Sequence, residues 1–219
     1  MKIEHPNLRS NDPMWSLEMT HWMQGYSLVA GVDEAGRGAL AGPVSVGVVI
    51  LPPDGLKRDY RDSKTLSAKQ RQKLILEIQS EALAWTLEFA PASEVDKFGV
   101  LEATKRAARR AIARLEPQAD ALVTDYLKLE LPIPSLAPAK ADLHSYSVAA
   151  ASILAKTARD EFMKNLALEH PEYGFERHKG YGVAIHLKAL QDHGAILEHR
   201  RSFAPVALVT DGLFRKTDT

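Results

Sequence analysis

From Leu28 to Val32 the chain is apolar. It then delivers two adjacent carboxylates, Asp33 and Glu34, into a turn with glycines at 36, 38 and 42 and with Arg37 between the first two of them. Such a run reads as a strand that ends in an acidic corner. Carboxylates at the end of a strand suit hard cations, and glycines let backbone come close to a ligand. An arginine in the same turn suits phosphate, or the acids themselves. What the corner lacks is further ligands, and the rest of the chain has to supply them.

A second apolar run, Pro43 to Leu51, is rich in valine and is closed by Pro52-Pro53-Asp54-Gly55. It reads as a strand close enough in the chain to pair with the first. Ser67 with Gln70 forms the pattern of a capping box, and Leu74, Ile75, Ile78 and Ala82 then mark one helical face. Trp85 to Phe89 reads as a third strand. The spacing of Leu101, Thr104, Ala108, Ala111, Ile112 and Leu115 predicts a helix over 100–115 with arginines opposite. Ala121 to Asp125 is a short buried strand that again ends in a carboxylate. In Leu131-Pro132-Ile133-Pro134 the prolines lack backbone donors, which argues against a central strand. The next strand is therefore expected at Ala137 to Ala141, running into Asp142. A helix follows over 145–168, and its opening run Ala149-Ala150-Ala151-Ser152 is small enough to pack very close to a sheet. From Pro171 onward basic and aromatic residues mix, around a helix at Ala184 to His193. Strands alternating with helices, with two early strands adjacent, give an α/β fold with a mixed sheet.

At 219 residues, 45% apolar and 26% charged, the chain suits one globular domain with a sizeable core. The expected division is an N-terminal arm at 1–25, a domain at 26–206 and a tail at 207–219. The absence of cysteine excludes disulfides, thiolate catalysis and cysteine–zinc sites. The longest apolar stretch, Val44 to Leu51, is too short to cross a membrane, and residues 1–25 do not resemble a secretory signal. A cytoplasmic monomer is the expectation. Because 28 basic residues balance 28 acidic ones, affinity for nucleic acid would have to come from local positive potential.

Three strand candidates thus end in acids: Asp33-Glu34, Asp125 and Asp142. Neighbouring strands lie about 4.8 Å apart, so such ends can converge. Converged carboxylates repel one another and hold their protons more tightly unless cations neutralise them. With oxygen ligands and no cysteine the suitable ions are Mg²⁺ or Mn²⁺. Two such ions about 4 Å apart are an apparatus for in-line attack on a phosphodiester. Taken one at a time, each aspartate reads more readily as a turn former or helix cap, and the residues alone go no further than metal-dependent phosphoryl chemistry.

The block Gly31-Val32-Asp33-Glu34-Ala35-Gly36-Arg37-Gly38, with Leu40-Ala41-Gly42-Pro43 after it, resembles the opening signature of the ribonuclease HII family. Four further blocks resemble that family in order. They are Asp62-Ser63-Lys64; Lys140-Ala141-Asp142 with Ala149 to Lys156; His178-Lys179-Gly180-Tyr181-Gly182; and His199-Arg200-Arg201-Ser202-Phe203-Ala204-Pro205. Together they run from about residue 28 to residue 206.

The resemblance implies a ribonuclease H-like fold: a five-stranded mixed sheet flanked by helices, with a C-terminal helical part. It implies hydrolysis of the RNA strand of RNA–DNA hybrids and incision on the 5′ side of single ribonucleotides embedded in duplex DNA, leaving 3′-hydroxyl and 5′-phosphate ends. The four metal-binding acids fall on Asp33, Glu34, Asp125 and Asp142, with two Mg²⁺ or Mn²⁺ ions. Asp33 would bridge the ions, Asp142 would lie on the ion that activates water, and Glu34 and Asp125 on the other. Backbone groups of Gly36-Arg37-Gly38 would read the ribose 2′-hydroxyl. Tyr181 would stack on the sugar at the RNA–DNA junction, and Lys64 would contact phosphate. The chain departs from the family at Tyr126, where a glycine usually follows the aspartate, and at Gly99, where an asparagine is common.

Lys105, Arg106, Arg109 and Arg110 read as a solvated helix face. Part of the set Arg177, Lys179, Arg200 and Arg201 is expected on nucleic acid, while Arg200 and Arg201 are equally readable as anchors of the tail. His178, His186, His193 and His199 lack zinc-ligand spacing. Two rival functions are a resolvase or integrase core, which needs the acids but not the Gly36 and Tyr181 blocks together, and a catalytically silent hybrid-binding module, against which the presence of all four acids argues.

Overall fold

Asp12 accepts a hydrogen bond from the Met14 N–H at 3.0 Å and opens a 3₁₀ turn, Pro13–Trp15, that leads into α1 (Ser16–Trp22). Trp15 and Trp22 are buried with ring centroids 5.1 Å apart, so the packed core begins ahead of residue 26. The computed structural model describes residues 12–61 and 63–210. Asp62 and the outer parts of the expected arm and tail lie outside the described residues.

The elements that follow are β1 (Val29–Ala35), β2 (Val44–Ile50), α2 (Ala68–Glu81), β3 (Ala84–Ala90), α3 (Ala92–Phe98), α4 (Val100–Ala113), β4 (Ala121–Thr124) and β5 (Ser135–Leu136). After them come α5 (Tyr146–Glu169), α6 (Phe175–His178), α7 (Ala184–His193) and α8 (Ala204–Thr210). The strands form one five-stranded mixed sheet in the order β3-β2-β1-β4-β5, with β1 parallel to β4 and β4 parallel to β5. The expected ribonuclease H-like architecture is the one observed.

Two compact units share the chain. The first takes the residues up to Ala35, Val46–Glu88 and Lys105–Thr157; the second takes Gly36–Ser45, Phe89–Thr104 and the residues from Ala158 on. In the first unit the start of α5 lies directly on the sheet. A Cβ at Gly31 would sit 2.1 Å from the Ser147 carbonyl carbon, and one at Gly47 would sit 2.4 Å from the Ala151 oxygen. Only glycine on the strands, facing the buried run Ala149-Ala150-Ala151, permits that approach. The α2 capping box forms as expected: Ser67 Oγ accepts from Gln70 N at 3.3 Å and Gln70 Oε1 from Ser67 N at 2.9 Å. In the second unit Met163, Tyr173 and Phe175 form one buried cluster, and Leu40, Leu190 and Val206 form another.

Two expectations are corrected. The fifth strand is not Ala137–Ala141 but Ser135–Leu136, immediately after the prolines. It is two residues long and stands last in the sheet order, where missing N–H groups cost little, and the Pro134 carbonyl still accepts from Leu122 N at 2.8 Å. Asp142 therefore leaves no strand. It sits in a 3₁₀ turn, Ala141–Leu143, entered through Lys140 in the left-handed region at φ +59°. The helix α3, which the sequence pattern does not announce, ends at Gly99, whose φ of +76° and ψ of +153° suit glycine. That conformation accounts for a glycine at this position.

Candidate active site

The acidic corner is assembled in the first unit by strand register. Parallel pairing sets Val32 against Thr124, and Asp125 N donates to Val32 O at 3.3 Å. Asp33 and Asp125 are thus the next residues on adjacent strands. Asp125 Oδ1 in turn accepts from Ala141 N at 3.1 Å, which ties the turn carrying Asp142 to the same place. Glu34 follows Asp33 on β1, half-buried. The acids named from sequence thus converge on one corner: Asp33 and Asp125 through pairing, Glu34 by following Asp33 on β1, and Asp142 through a turn bonded to the Asp125 carboxylate.

Asp33 is the most constrained of them. It is buried, accepts from Glu34 N at 2.7 Å and from the Ser152 hydroxyl of α5, and its carboxyl is pushed well above the usual range. Burial is the main cause, with the charges of Glu34 and Asp125 adding to it. Among the described residues no three acidic or histidine side chains are gathered closely enough to hold an ion as they stand. Carboxylates this close are relieved of their repulsion either by keeping a proton or by sharing a cation. The donor set, all oxygen with one buried acid whose ionised form is disfavoured, fits a hard divalent ion.

Ser152 also shares a hydrogen bond of 2.9 Å with Ser63, the residue before Lys64. Lys64 is exposed on the 3₁₀ turn Ser63–Thr65, whose carbonyl at Ser63 accepts from Arg71 Nη1 at 3.3 Å. Lys64, the phosphate contact expected from sequence, is accordingly tied to Asp33 through Ser63, its neighbour in the chain, and Ser152. Tyr126, directly after Asp125, has φ +55° and is exposed. This non-glycine residue is held in a left-handed conformation that the family's usual glycine adopts without strain.

The glycine loop belongs to the second unit, and two buried arginines hold it. Arg159 donates from Nε to Pro43 O at 2.9 Å, from Nη2 to Ala41 O at 3.1 Å and from Nη1 to Lys179 O at 3.0 Å. Arg200 donates to Gly42 O from Nε and Nη2 and to Arg37 O from Nη1, all at 2.8–3.0 Å. Burial lowers both guanidinium pKa values, that of Arg200 to about 9. Gly36, at φ +93°, lies flat against Arg159: an added Cβ would stand 1.9 Å from Nε. Gly38 faces open space, and both Gly38 and Arg37 are exposed. Tyr181 is 38% exposed, with its ring 5.4 Å from the Arg159 guanidinium.

Of the two readings of Arg200, phosphate contact or anchor, the anchor is the one observed: it is fully buried and committed to the backbone carbonyls of Gly42 and Arg37. Arg201 is exposed, with its backbone N–H on Asp96 at 2.9 Å. Arg159 escapes a reading of the sequence, its only signal being an arginine within the apolar course of α5. Glu18 of α1 escapes it too. It is fully buried, accepts from Ser145 Oγ at 2.7 Å and Ser147 N at 2.9 Å at the start of α5, and has its carboxyl raised to about 7 by burial.

With this geometry in hand, likeness to known proteins decides the family. The ribonuclease HII family model matches residues 30–206. A ribonuclease HII of Thermus thermophilus is 53% identical over 191 residues, 87% of this chain and 93% of that protein. The chain belongs to the ribonuclease HII family. Members are metal-dependent nucleases, and with membership goes ribonuclease H activity on RNA–DNA hybrids. The crystal structure of ribonuclease H2 from Pyrococcus horikoshii OT3 superposes with a TM-score of 0.74 at 25% identity, covering 86% of this chain and 99% of that one. Bst-RNase HIII in complex with Mn²⁺ shares the fold at a TM-score of 0.65 and 20% identity, covering 85% of this chain and 70% of that one. Among the described residues no helix is long and apolar enough to cross a membrane.

Proposed function

We propose that this ribonuclease HII cuts on the 5′ side of single ribonucleotides embedded in duplex DNA, as well as within RNA–DNA hybrids, and acts as a cytoplasmic monomer. Asp33, Glu34, Asp125 and Asp142 would hold two Mg²⁺ or Mn²⁺ ions. The observation that carries this reading is the β1–β4 register, which sets Asp33 beside Asp125 while Asp125 pins the Asp142 turn. Bound there, the ions supply Lewis-acid stabilisation of charge on the attacking and leaving oxygens. Burial and the neighbouring carboxylates disfavour the ionised form of Asp33 that a metal ion would need, so metal affinity should rise with pH.

Substrate choice falls to the second unit and to Lys64. The Gly36-Arg37-Gly38 backbone presents polar groups to a ribose 2′-hydroxyl. Its shape is set by Arg159 and Arg200, which occupy the neighbouring carbonyls. Tyr181 offers a partly exposed ring for the sugar at the junction, and Lys64 a cation for phosphate. The deciding experiment is incubation of a DNA duplex carrying one ribonucleotide with and without Mg²⁺ or Mn²⁺, mapping the cut and its ends. Metal-dependent cleavage 5′ to the ribonucleotide, leaving 3′-hydroxyl and 5′-phosphate, is expected. Cleavage only within continuous RNA would refute the single-ribonucleotide reading, and cleavage of all-DNA junctions would favour a resolvase.

A further inference from the structure

Two fully buried histidines of the second unit face each other, and among the described residues no acid is bonded to either ring. His199 Nε2 and His186 Nε2 are 3.1 Å apart. Their protons follow from the bonds at the other ring atoms. The Ile196 N–H donates to His199 Nδ1 at 3.1 Å, so Nδ1 carries no proton and the neutral ring bears its hydrogen on Nε2. That hydrogen points at His186 Nε2, which must then be the acceptor. His186 consequently carries its proton on Nδ1, where the atom in reach is the Tyr181 carbonyl oxygen, at 3.0 Å. A single direction of donation therefore runs from Ile196 through both rings to Tyr181.

We propose that His186 and His199 are positioning residues that hold Tyr181 in its reading geometry through this relay of neutral imidazoles. The inference rests on the role proposed above for Tyr181. Every carbonyl of the segment 179–181 has an assigned donor: Arg159 serves Lys179, Leu40 N serves Gly180 at 2.8 Å, and His186, with Val183 N at 2.9 Å, serves Tyr181. His178 joins from below. Its Nδ1 accepts from Gly180 N at 3.2 Å and its ring stacks on His186 with centroids 4.6 Å apart. A second proton on either relay ring would set hydrogen against hydrogen, at Ile196 or between the two Nε2 atoms.

The titratable groups around the pair also disfavour charge. A cation on His178 would repel one on His186, and a cation on His170 one on His199, while Tyr173, its hydroxyl pKa raised by burial, lies against both rings without adding a charge. The pKa of His186 is lowered and that of His199 falls to about 3, burial being the main cause in each. The relay thus keeps its direction throughout the neutral range.

Two substitutions separate the relay from bulk packing. His186→Asn keeps a side-chain N–H where Nδ1 stood, facing Tyr181 O. His186→Gln reaches toward His199 and leaves Tyr181 O without that donor. The readout is kcat/KM on a single-ribonucleotide duplex relative to an all-RNA hybrid, with Tyr181→Ala as reference. We expect H186Q to lower that ratio roughly tenfold, the usual effect of losing one buried hydrogen bond, and H186N to stay within about twofold. Equal ratios for the two variants would overturn the donation from His186 to Tyr181, the link on which the relay depends. If Y181A leaves the ratio unchanged, the Tyr181 reading fails instead. The relay is then judged by ¹⁵N spectra of the unmodified protein, which should show Nδ1–H on His186 and Nε2–H on His199; the opposite tautomers would refute it.

Discussion

The acidic corner of the first unit and the glycine loop of the second lie next to each other in the chain, yet they are built on opposite principles. At the corner, carboxylates are placed side by side and one of them is buried against its own charge. In the loop, every described backbone carbonyl that Arg159 and Arg200 reach is matched with a guanidinium N–H, and the fit is close enough to exclude a methyl group at Gly36. At the corner the ionised form of Asp33 is disfavoured by its own surroundings, which suits a site that binds cations. The loop has these carbonyls held by two arginines before any ligand arrives, which suits a surface that must keep one shape to discriminate. Chemistry calls for a disfavoured charge, whereas recognition calls for a fixed backbone.

The sharpest way to break this contrast is to remove charge from the corner. Asp33→Asn should reduce cleavage by on the order of 10³-fold or more, since several kcal/mol of metal-dependent stabilisation are lost. The melting temperature should hold or rise, because a buried carboxylate has gone. A fall in stability comparable to a core truncation would show that Asp33 is structural. Asp142→Asn should match it in activity.

The loop should respond the other way, in stability. Gly36→Ala adds a methyl group against Arg159 at positive φ and should cost about 3 kcal/mol in urea unfolding. Gly38→Ala meets open space and should cost less than about 0.5 kcal/mol. Equal effects would mean that Arg159 yields easily and that the loop is not rigid.

The two units also differ in the sign of their pH dependence. Glu18, raised from 4.5 to about 7, binds its proton more tightly when folded. Its contribution is fully present below pH 4.5 and is lost as pH rises toward 7, a change of about 3 kcal/mol. His199, lowered from 6.5 to about 3, binds its proton less tightly when folded. Its contribution is present above pH 6.5 and is lost as pH falls toward 3. Glu18→Gln should therefore gain stability over the parent protein by about that amount between pH 4.5 and 8, measured as the difference in unfolding free energy. A constant difference would place the ionisation of Glu18 below this window.

The smallest effect tests the join between strand and corner. Tyr126→Gly relieves a left-handed non-glycine residue and should stabilise by about 1 kcal/mol, seen as a rise of a few degrees in melting temperature. No gain would mean that the exposed ring makes compensating contacts.

Much of this protein is legible in its sequence, and the reason lies in local chemistry. The capping box at Ser67 and Gln70, the alanine run of α5 and the apolar strands β1 and β2 depend on neighbours in the chain. The family blocks hold Asp33, Glu34 and Asp142, whereas Asp125 is legible only as the carboxylate that closes its own short apolar strand. The fifth strand escapes because two prolines argue against a central strand but leave an edge position open, and edge or centre is a matter of pairing. Arg200 reads partly as a phosphate contact because charge alone does not reveal burial. Arg159, Glu18 and the His186–His199 relay are invisible for the same reason: each draws its meaning from partners distant in the chain.

By itself the sequence determined which residues can carry charge, where helices cap and where backbone can approach closely. Tertiary structure alone decided which of those charges are buried. It set Asp33 against Asp125 by register, turned two arginines inward onto the carbonyls of the glycine loop, and fixed the tautomers of two histidines. Desolvation and hydrogen-bond direction are properties of the surroundings, and those exist only once the chain has folded.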